Sequence, residues 1–216
     1  MDSSLLEAIV TALLSGACVT VQVTSGALTM AVLIGLGLAT TTYLNRSPVV
    51  ALLVRAYVEA LRNVPSLTFL FLLYFGLAAL GLRLSSMCAA IVGLGMIGGA
   101  VAVDIFCSGF QSVPSGQSEA AAAVGLTPFK VFRLIILPQG LRLALPSLGN
   151  YAVALVKDTS LVAAIAAPEV MFNARQLVNE TFQTAAIYGA AAILYLILTM
   201  AVTQTVSLIE RRLEIA

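Results

Sequence analysis

The sequence predicts an all-α integral membrane protein, a bundle of about five transmembrane helices with short connections. Hydrophobic residues make up 60% of the 216 residues and charged residues only 10%, whereas a soluble domain is about a quarter charged. The mean hydropathy is +1.04. Roughly 20 apolar residues cross a bilayer, so five spans use about half the chain and leave no room for a second domain. Residues 1–216 are therefore read as one transmembrane domain.

Taken in order, the first span runs from about Ala17 to Tyr43 and carries Thr20, Thr24, Gly26, Thr29, Gly35 and Gly37. Small residues of this kind let helix backbones approach closely inside a bilayer. The start, Met1-Asp2-Ser3-Ser4, has no positive region, so the span is expected to be retained as an anchor. A break follows at Asn45-Arg46-Ser47-Pro48. Val49 to Arg62 reads as a helix leading out of the interface, and the second span runs from Pro65 to about Leu80. The third lies between Ser85 and about Phe106, with Asp104 near its end. A polar-tolerant stretch, about 108–145, precedes a fourth span from near Pro146 to Ala167. A short loop with Pro168, Glu169, Arg175, Asn179 and Glu180 leads to the fifth, Ala185 to Leu208.

The basic residues orient this bundle. With the N-terminus outside, Arg46, Arg55, Arg62, Lys130, Arg133, Arg142, Arg211 and Arg212 fall on the cytoplasmic side. Arg83 and Arg175 fall outside. The asymmetry is the positive-inside bias, and it places the C-terminus in the cytoplasm.

Several chemistries drop out. The net charge is +1, which supplies no basic field for nucleic acid. There is no histidine, so the commonest general base and transition-metal ligand is missing, and no metal site is expected. Cys18, Cys88 and Cys107 are an odd, unpaired set, read as small buried apolar residues rather than a disulfide framework.

The polar-tolerant stretch is the most informative. Pro114-Ser115 starts a helix and Glu119 is expected in its first turn, where an anion complements the helix dipole. Gly125 suits a left-handed position at the helix end. Thr127-Pro128 then restarts a helix as N-cap and first helical residue, with Phe129, Phe132 and Ile136 on one face and Lys130 and Arg133 on another. Pro138 is expected to stop or kink it. By composition alone this is an interfacial helical hairpin.

The spacing of Glu119, Ala120, Ala121, Gly125, Ile135, Leu137 and Pro138 resembles the EAA loop of permease subunits in binding-protein-dependent ABC importers. Three further stretches resemble the polar amino acid subfamily: Arg62-Asn63-Val64-Pro65 running into Tyr74-Phe75-Gly76-Leu77, Gln111-Ser112-Val113-Pro114, and Leu137-Pro138-Gln139 followed by Asn150 and Lys157-Asp158-Thr159-Ser160-Leu161. The subfamily's usual Glu and Arg are replaced by Asp104 and Cys107, so a role for that ion pair does not carry over.

The resemblance implies a type I ABC importer permease fold for polar amino acids in a bacterial inner membrane. It implies a cytoplasmic coupling helix, Glu119 to Gly125, docked on a separate ATPase dimer. The implied partners also include a second permease subunit, identical or paralogous, and an extracytoplasmic amino-acid-binding protein. The chain lacks a phosphate-binding loop, since its only lysines, Lys130 and Lys157, follow Phe129 and Val156. No cofactor is expected in the chain itself, and ATP with Mg would belong to the partner.

Lys157 and Asp158 are expected about halfway along the fourth span. Intramembrane charges are satisfied by neighbouring helices or line a watery path. The candidate path residues are Lys157, Asp158, Thr159, Ser160 and Asp104, with Asp158 nearest a substrate ammonium. Asn150 is expected to hydrogen-bond across helices. Two other classes compete. An ion-coupled secondary transporter would show an internal inverted repeat, and none is visible. An intramembrane hydrolase using Asp104 and Asp158 would want glycine-framed carboxylates, and neither residue has that setting.

Overall fold

The computed structural model describes residues 3–45 and 47–214; Arg46, counted above among the cytoplasmic charges, lies outside them. The described residues form eight helical segments: α1 (Ser3–Leu44), α2 (Pro48–Asn63), α3 (Ser66–Ala79), α4 (Ser86–Gln111), α5 (Ser115–Ala123), α6 (Pro128–Ile165), α7 (Val170–Thr181) and α8 (Thr184–Glu214). Four of them, α1, α4, α6 and α8, are long and apolar enough to cross a membrane singly. The expected five is reached when α2 and α3 count as one broken span.

The expected first span begins too late, because α1 starts at Ser3 rather than near Ala17. Ile9, Leu13 and Ala17 recur on one face and are buried with Val170, Ala174, Leu177 and Ile187. Tertiary packing against α7 and α8 thus extends the helix beyond its most apolar part.

α2 and α3 meet at 103°. Pro65 has no backbone N–H and pushes Val64 into an extended conformation, φ −87° and ψ 130°, so the helix must end at the elbow. α3 alone is only about 21 Å long and cannot cross about 30 Å of hydrocarbon. The expected second span is therefore corrected to half of a bent pair. Val54, Val58 and Leu61 form the buried stripe of α2, while Val49, Leu52 and Leu53 face outward.

α4 lies at the centre, packed on α1, α2 and α6. Its contacts depend on missing side chains. A Cβ on Gly35 of α1 would stand 2.3 Å from the Ala102 Cβ, and one on Gly109 would stand 2.5 Å from the Gly140 carbonyl oxygen of α6. At these two places the backbones touch.

α6 is one long helical run, so the fourth span does not begin near Pro146, which lies inside it. Nor does Pro138 stop the helix. Residues Phe132–Ile136 widen into a π-turn directly before it, and that relaxed hydrogen-bond pattern accommodates a residue with no N–H. The run tightens into a 3₁₀ segment at Thr159–Ile165 and ends at Ala166, whose φ is +58°. The expected short loop after the fourth span is instead the helix α7.

Cys18 and Cys88 are exposed and Cys107 is half-buried, which corrects the buried reading. The outer face of a membrane helix is apolar in its surroundings, so small apolar residues need no core.

Candidate functional site: a coupling hairpin and membrane-embedded charges

At one end of the bundle α5 and the first turns of α6 form a hairpin. α5 begins at Ser115 after the extended Pro114, so Glu119 is its fifth residue and lies beyond the first turn, contrary to expectation. Glu119 and Ala120 are exposed and Ala121 is buried. The end of α5 is a Schellman motif: the Leu126 N–H donates to the Ala121 carbonyl at 3.1 Å and the Gly125 N–H to that of Ala122 at 3.0 Å. Gly125 has φ +78°, a conformation costly for most L side chains. Space does not restrict it, because a Cβ there would meet nothing within 4 Å.

The hairpin is attached to the bundle through aromatic rings. Tyr43 at the end of α1 lies 5.0 Å from Phe132 and 5.9 Å from Phe110, between ring centroids, and Phe110 meets Phe132 edge-on at 5.3 Å. Of the three residues expected on one face, Phe132 and Ile136 are buried, but Phe129 is 57% exposed and does not share their environment. Gln139 donates to the Gln117 side chain at 3.2 Å and to the Ile135 carbonyl at 3.0 Å. That bridge ties α5 to α6 beside Leu137 and Pro138. The result is a short helix with an exposed face, held on a rigid base.

The membrane-embedded charges lie elsewhere. Lys157 and Asp158 end the α-helical part of α6, about thirty residues from its start, not midway along a span begun at Pro146. Both are exposed, Thr159 is fully buried with its hydroxyl donating to the Val156 carbonyl at 2.7 Å, and Ser160 is half-buried. Asp158 lines a cavity of about 240 Å³ together with Arg62, Ser66, Tyr151, Leu94 and Leu155.

Asp104 is not left without a cation. Arg62 donates from Nη1 to its Oδ2, so the helix α2 supplies the positive charge that Cys107 does not. This contact sets Arg62 against α4 about two turns before its end at Gln111, the end that leads into the hairpin. Asn150 is exposed and makes no side-chain hydrogen bond among the described residues.

Sequence reasoning passed over Glu169 and Tyr195. Glu169 is fully buried, caps α7 by accepting from the Phe172 N–H at 2.7 Å, and accepts from the Tyr195 hydroxyl of α8. Burial pushes its carboxyl above the ordinary range, against the opposing effects of Tyr195, the backbone N–H groups and Arg175. Asn173 donates to the Ala12 carbonyl at 2.9 Å and Arg175 to that of Ala163 at 3.3 Å. α7 is thereby clamped to α1 and to the end of α6. A Pro-Glu pair before a helix is a legible start signal; burial of its carboxylate is not.

Comparisons with known proteins agree with this fold. Residues 31–215 match the family model described as binding-protein-dependent transport system inner membrane component. A probable amino-acid permease of Bacillus subtilis is 36% identical over 91% of this chain and 88% of its own length. The histidine/lysine/arginine/ornithine transport system permease protein of Salmonella typhimurium is 33% identical over 94% and 93%. Among solved structures, an amino acid ABC transporter superposes with a TM-score of 0.90 at 29% identity, covering 98% of this chain and 99% of that one. An inward-facing methionine ABC transporter shares the fold, with a TM-score of 0.81 at 20% identity over 99% of both chains.

Proposed function

Since this chain belongs to the binding-protein-dependent transport system inner membrane component family, we propose that it is the permease subunit of an ABC importer that moves polar amino acids or close analogues across a bacterial inner membrane. The observation that carries this reading is the hairpin: an exposed short helix, Ser115–Ala123, ended by Gly125 and seated on the Tyr43–Phe110–Phe132 rings. Its build suits docking into a groove on a separate ATPase. Small side chains at Ala120 and Ala122 permit close approach, and Glu119 offers a charge at the contact. Leu137, Pro138 and Gln139 brace the opposite arm.

The chain itself performs no catalysis in this reading. A partner ATPase dimer binds ATP with Mg, and its closure displaces α5 and, through the π-turn and the aromatic base, α4 and α6. A second permease subunit and an extracytoplasmic binding protein complete the transporter. The coupling hairpin and the C-terminus face the cytoplasm and the N-terminus faces outward; without Arg46, the remaining Arg55, Arg62, Lys130, Arg133, Arg142, Arg211 and Arg212 still outnumber Arg83 and Arg175.

Asp158 and Tyr151 of α6, with Ser66 of α3 opposite, form the polar wall of the translocation path; Ser160 is half-buried beside Asp158, and the fully buried Thr159, its hydroxyl donated to the Val156 carbonyl, stands behind that wall. Lys157 adjoins that wall, and Asp104 lies one cavity away through Arg62. The test is purification of the tagged chain from membranes followed by reconstitution. Co-purification of an ATPase and ATP-dependent uptake of labelled glutamine, arginine or histidine support the reading. Uptake driven by an ion gradient without an ATPase would overturn it in favour of a secondary transporter.

A further inference from the structure

Arg62 stands where two cavities meet. On one side is the space of about 240 Å³ that it shares with Asp158, Tyr151 and Ser66. On the other is a space of about 350 Å³ shared with Arg55, Glu59, Asp104 and Cys107. Arg55 and Glu59 satisfy each other at 2.7 Å, one helical turn apart on α2 and on the wall of that second space. Arg62 thus lines both spaces, in contact with Asp104 in one and sharing the other with Asp158, whose chain neighbour Lys157 is the second cation nearby.

A guanidinium carries five N–H donors in a planar fork that fits a carboxylate with two parallel bonds. Asp104 accepts from Nη1 only. Among the described residues, Nε and Nη2 make no hydrogen bond. The pair is also half in contact with solvent-accessible space, the side chains being 55% and 49% exposed, so its net attraction is modest and it can open.

We propose that Arg62 is the residue that selects the α-carboxylate of the amino acid in transit, and that Asp104 is a resident carboxylate which the substrate displaces. This rests on the permease reading above. The substrate ammonium lies toward Asp158 and its carboxylate on the Arg62 fork, so one zwitterion bridges the cavity between α2 and α6. Exchange of one carboxylate for another keeps the guanidinium paired throughout, with two parallel bonds available to the incoming carboxylate. Return of Asp104 then expels the substrate carboxylate. A path must bind its cargo weakly enough to release it, and a tethered competitor provides that weakness. Cys107 is neutral, so no second cation on α4 holds Asp104 back.

The complete transporter, with the co-purified ATPase and second permease, is reconstituted in proteoliposomes with binding protein in excess. Uptake of labelled glutamine, arginine and histidine is fitted to KM and Vmax. Asp104→Asn removes the competitor, so KM falls several-fold and Vmax falls with it as release slows. Arg62→Lys replaces the fork with a point charge, and KM rises about tenfold. The exchanged double variant, Arg62→Asp with Asp104→Arg, keeps an ion pair but moves the fork away from Asp158; it assembles with the ATPase and does not transport. Restored uptake in the double variant, or an unchanged or higher KM in Asp104→Asn, overturns the proposal while leaving the permease reading intact. Wild-type uptake that runs on an ion gradient with no ATPase present overturns both.

Discussion

Arg62, in the last turn of α2, donates to the carboxylate of Asp104 on α4, 42 positions further along the chain. The contact joins the elbow of the broken span to the central helix, beside the cavity that Asp158 lines.

Because both side chains are about half exposed, the pair is a weak structural staple. Arg62→Ala should cost about 0.2–1 kcal/mol, lowering Tm by no more than about 4 °C in a chain of this length. Uptake should nevertheless be lost. A thermal melt of the detergent-solubilised complex beside an uptake assay separates the two effects, and a collapse in Tm would assign the pair to folding.

Gly125 separates backbone strain from surface chemistry. Asn tolerates a left-handed φ better than other L side chains, so Gly125→Asn should insert and retain most ATP-coupled uptake. Gly125→Asp fits the same backbone but places a charge on the proposed docking face; it should insert normally and abolish uptake. Equal loss in both variants, with insertion intact, would point to strain or bulk rather than charge at the contact.

Gly109 meets the Gly140 carbonyl oxygen, with a Cβ on it only 2.5 Å away. A backbone atom cannot swing aside as a side chain can. Gly109→Ala should therefore destabilise the bundle by about 1–3 kcal/mol, read as a lower melting temperature and a lower yield of folded protein. Gly116→Ala, where a Cβ meets nothing within 4 Å, is the matched control.

Glu169 gives α7 a pH dependence. Its carboxyl is raised above its unfolded value of 4.5 by burial, so the folded state favours the neutral form. That contribution is fully present below pH 4.5 and is lost as pH rises through the folded value. Melting temperatures of wild type should decline across that window, and Glu169→Gln should flatten the decline. A wild-type profile rising with pH there, and flattened by the same substitution, would reverse the assignment.

Asp158→Asn keeps the size and hydrogen-bonding reach of the side chain and removes its charge. Transport kinetics should change while membrane insertion and ATPase co-purification do not. Wild-type KM and Vmax in this variant would return Asp158 to a structural role.

How much of this was legible depended on sequence distance. The helical hairpin could be read because its determinants are local: Pro114, Gly125 and Thr127-Pro128 punctuate the backbone within about fifteen residues. The membrane character of the spans was legible from composition. The continuity of α6 was not, because the π-turn that absorbs Pro138 depends on the packing of Phe132 and Ile136 against Tyr43 and Phe110. Arg62 was read only as a cytoplasmic charge at the end of an interfacial helix, because its partner lies on another helix. Glu169 was read as a loop residue for the same reason, since Tyr195 approaches it only once α8 has packed.

The contact between Gly109 and Gly140 has a mechanical meaning as well as a steric one. It divides α6 into a near arm of about 18 Å, from Pro128, and a far arm of about 37 Å, to Ile165. Any tilt about that fulcrum moves the far end about twice as far as the near end, by the ratio of those lengths. Asp158 stands about 27 Å from the fulcrum, so a displacement of the hairpin is enlarged about 1.5-fold by the time it reaches that carboxylate.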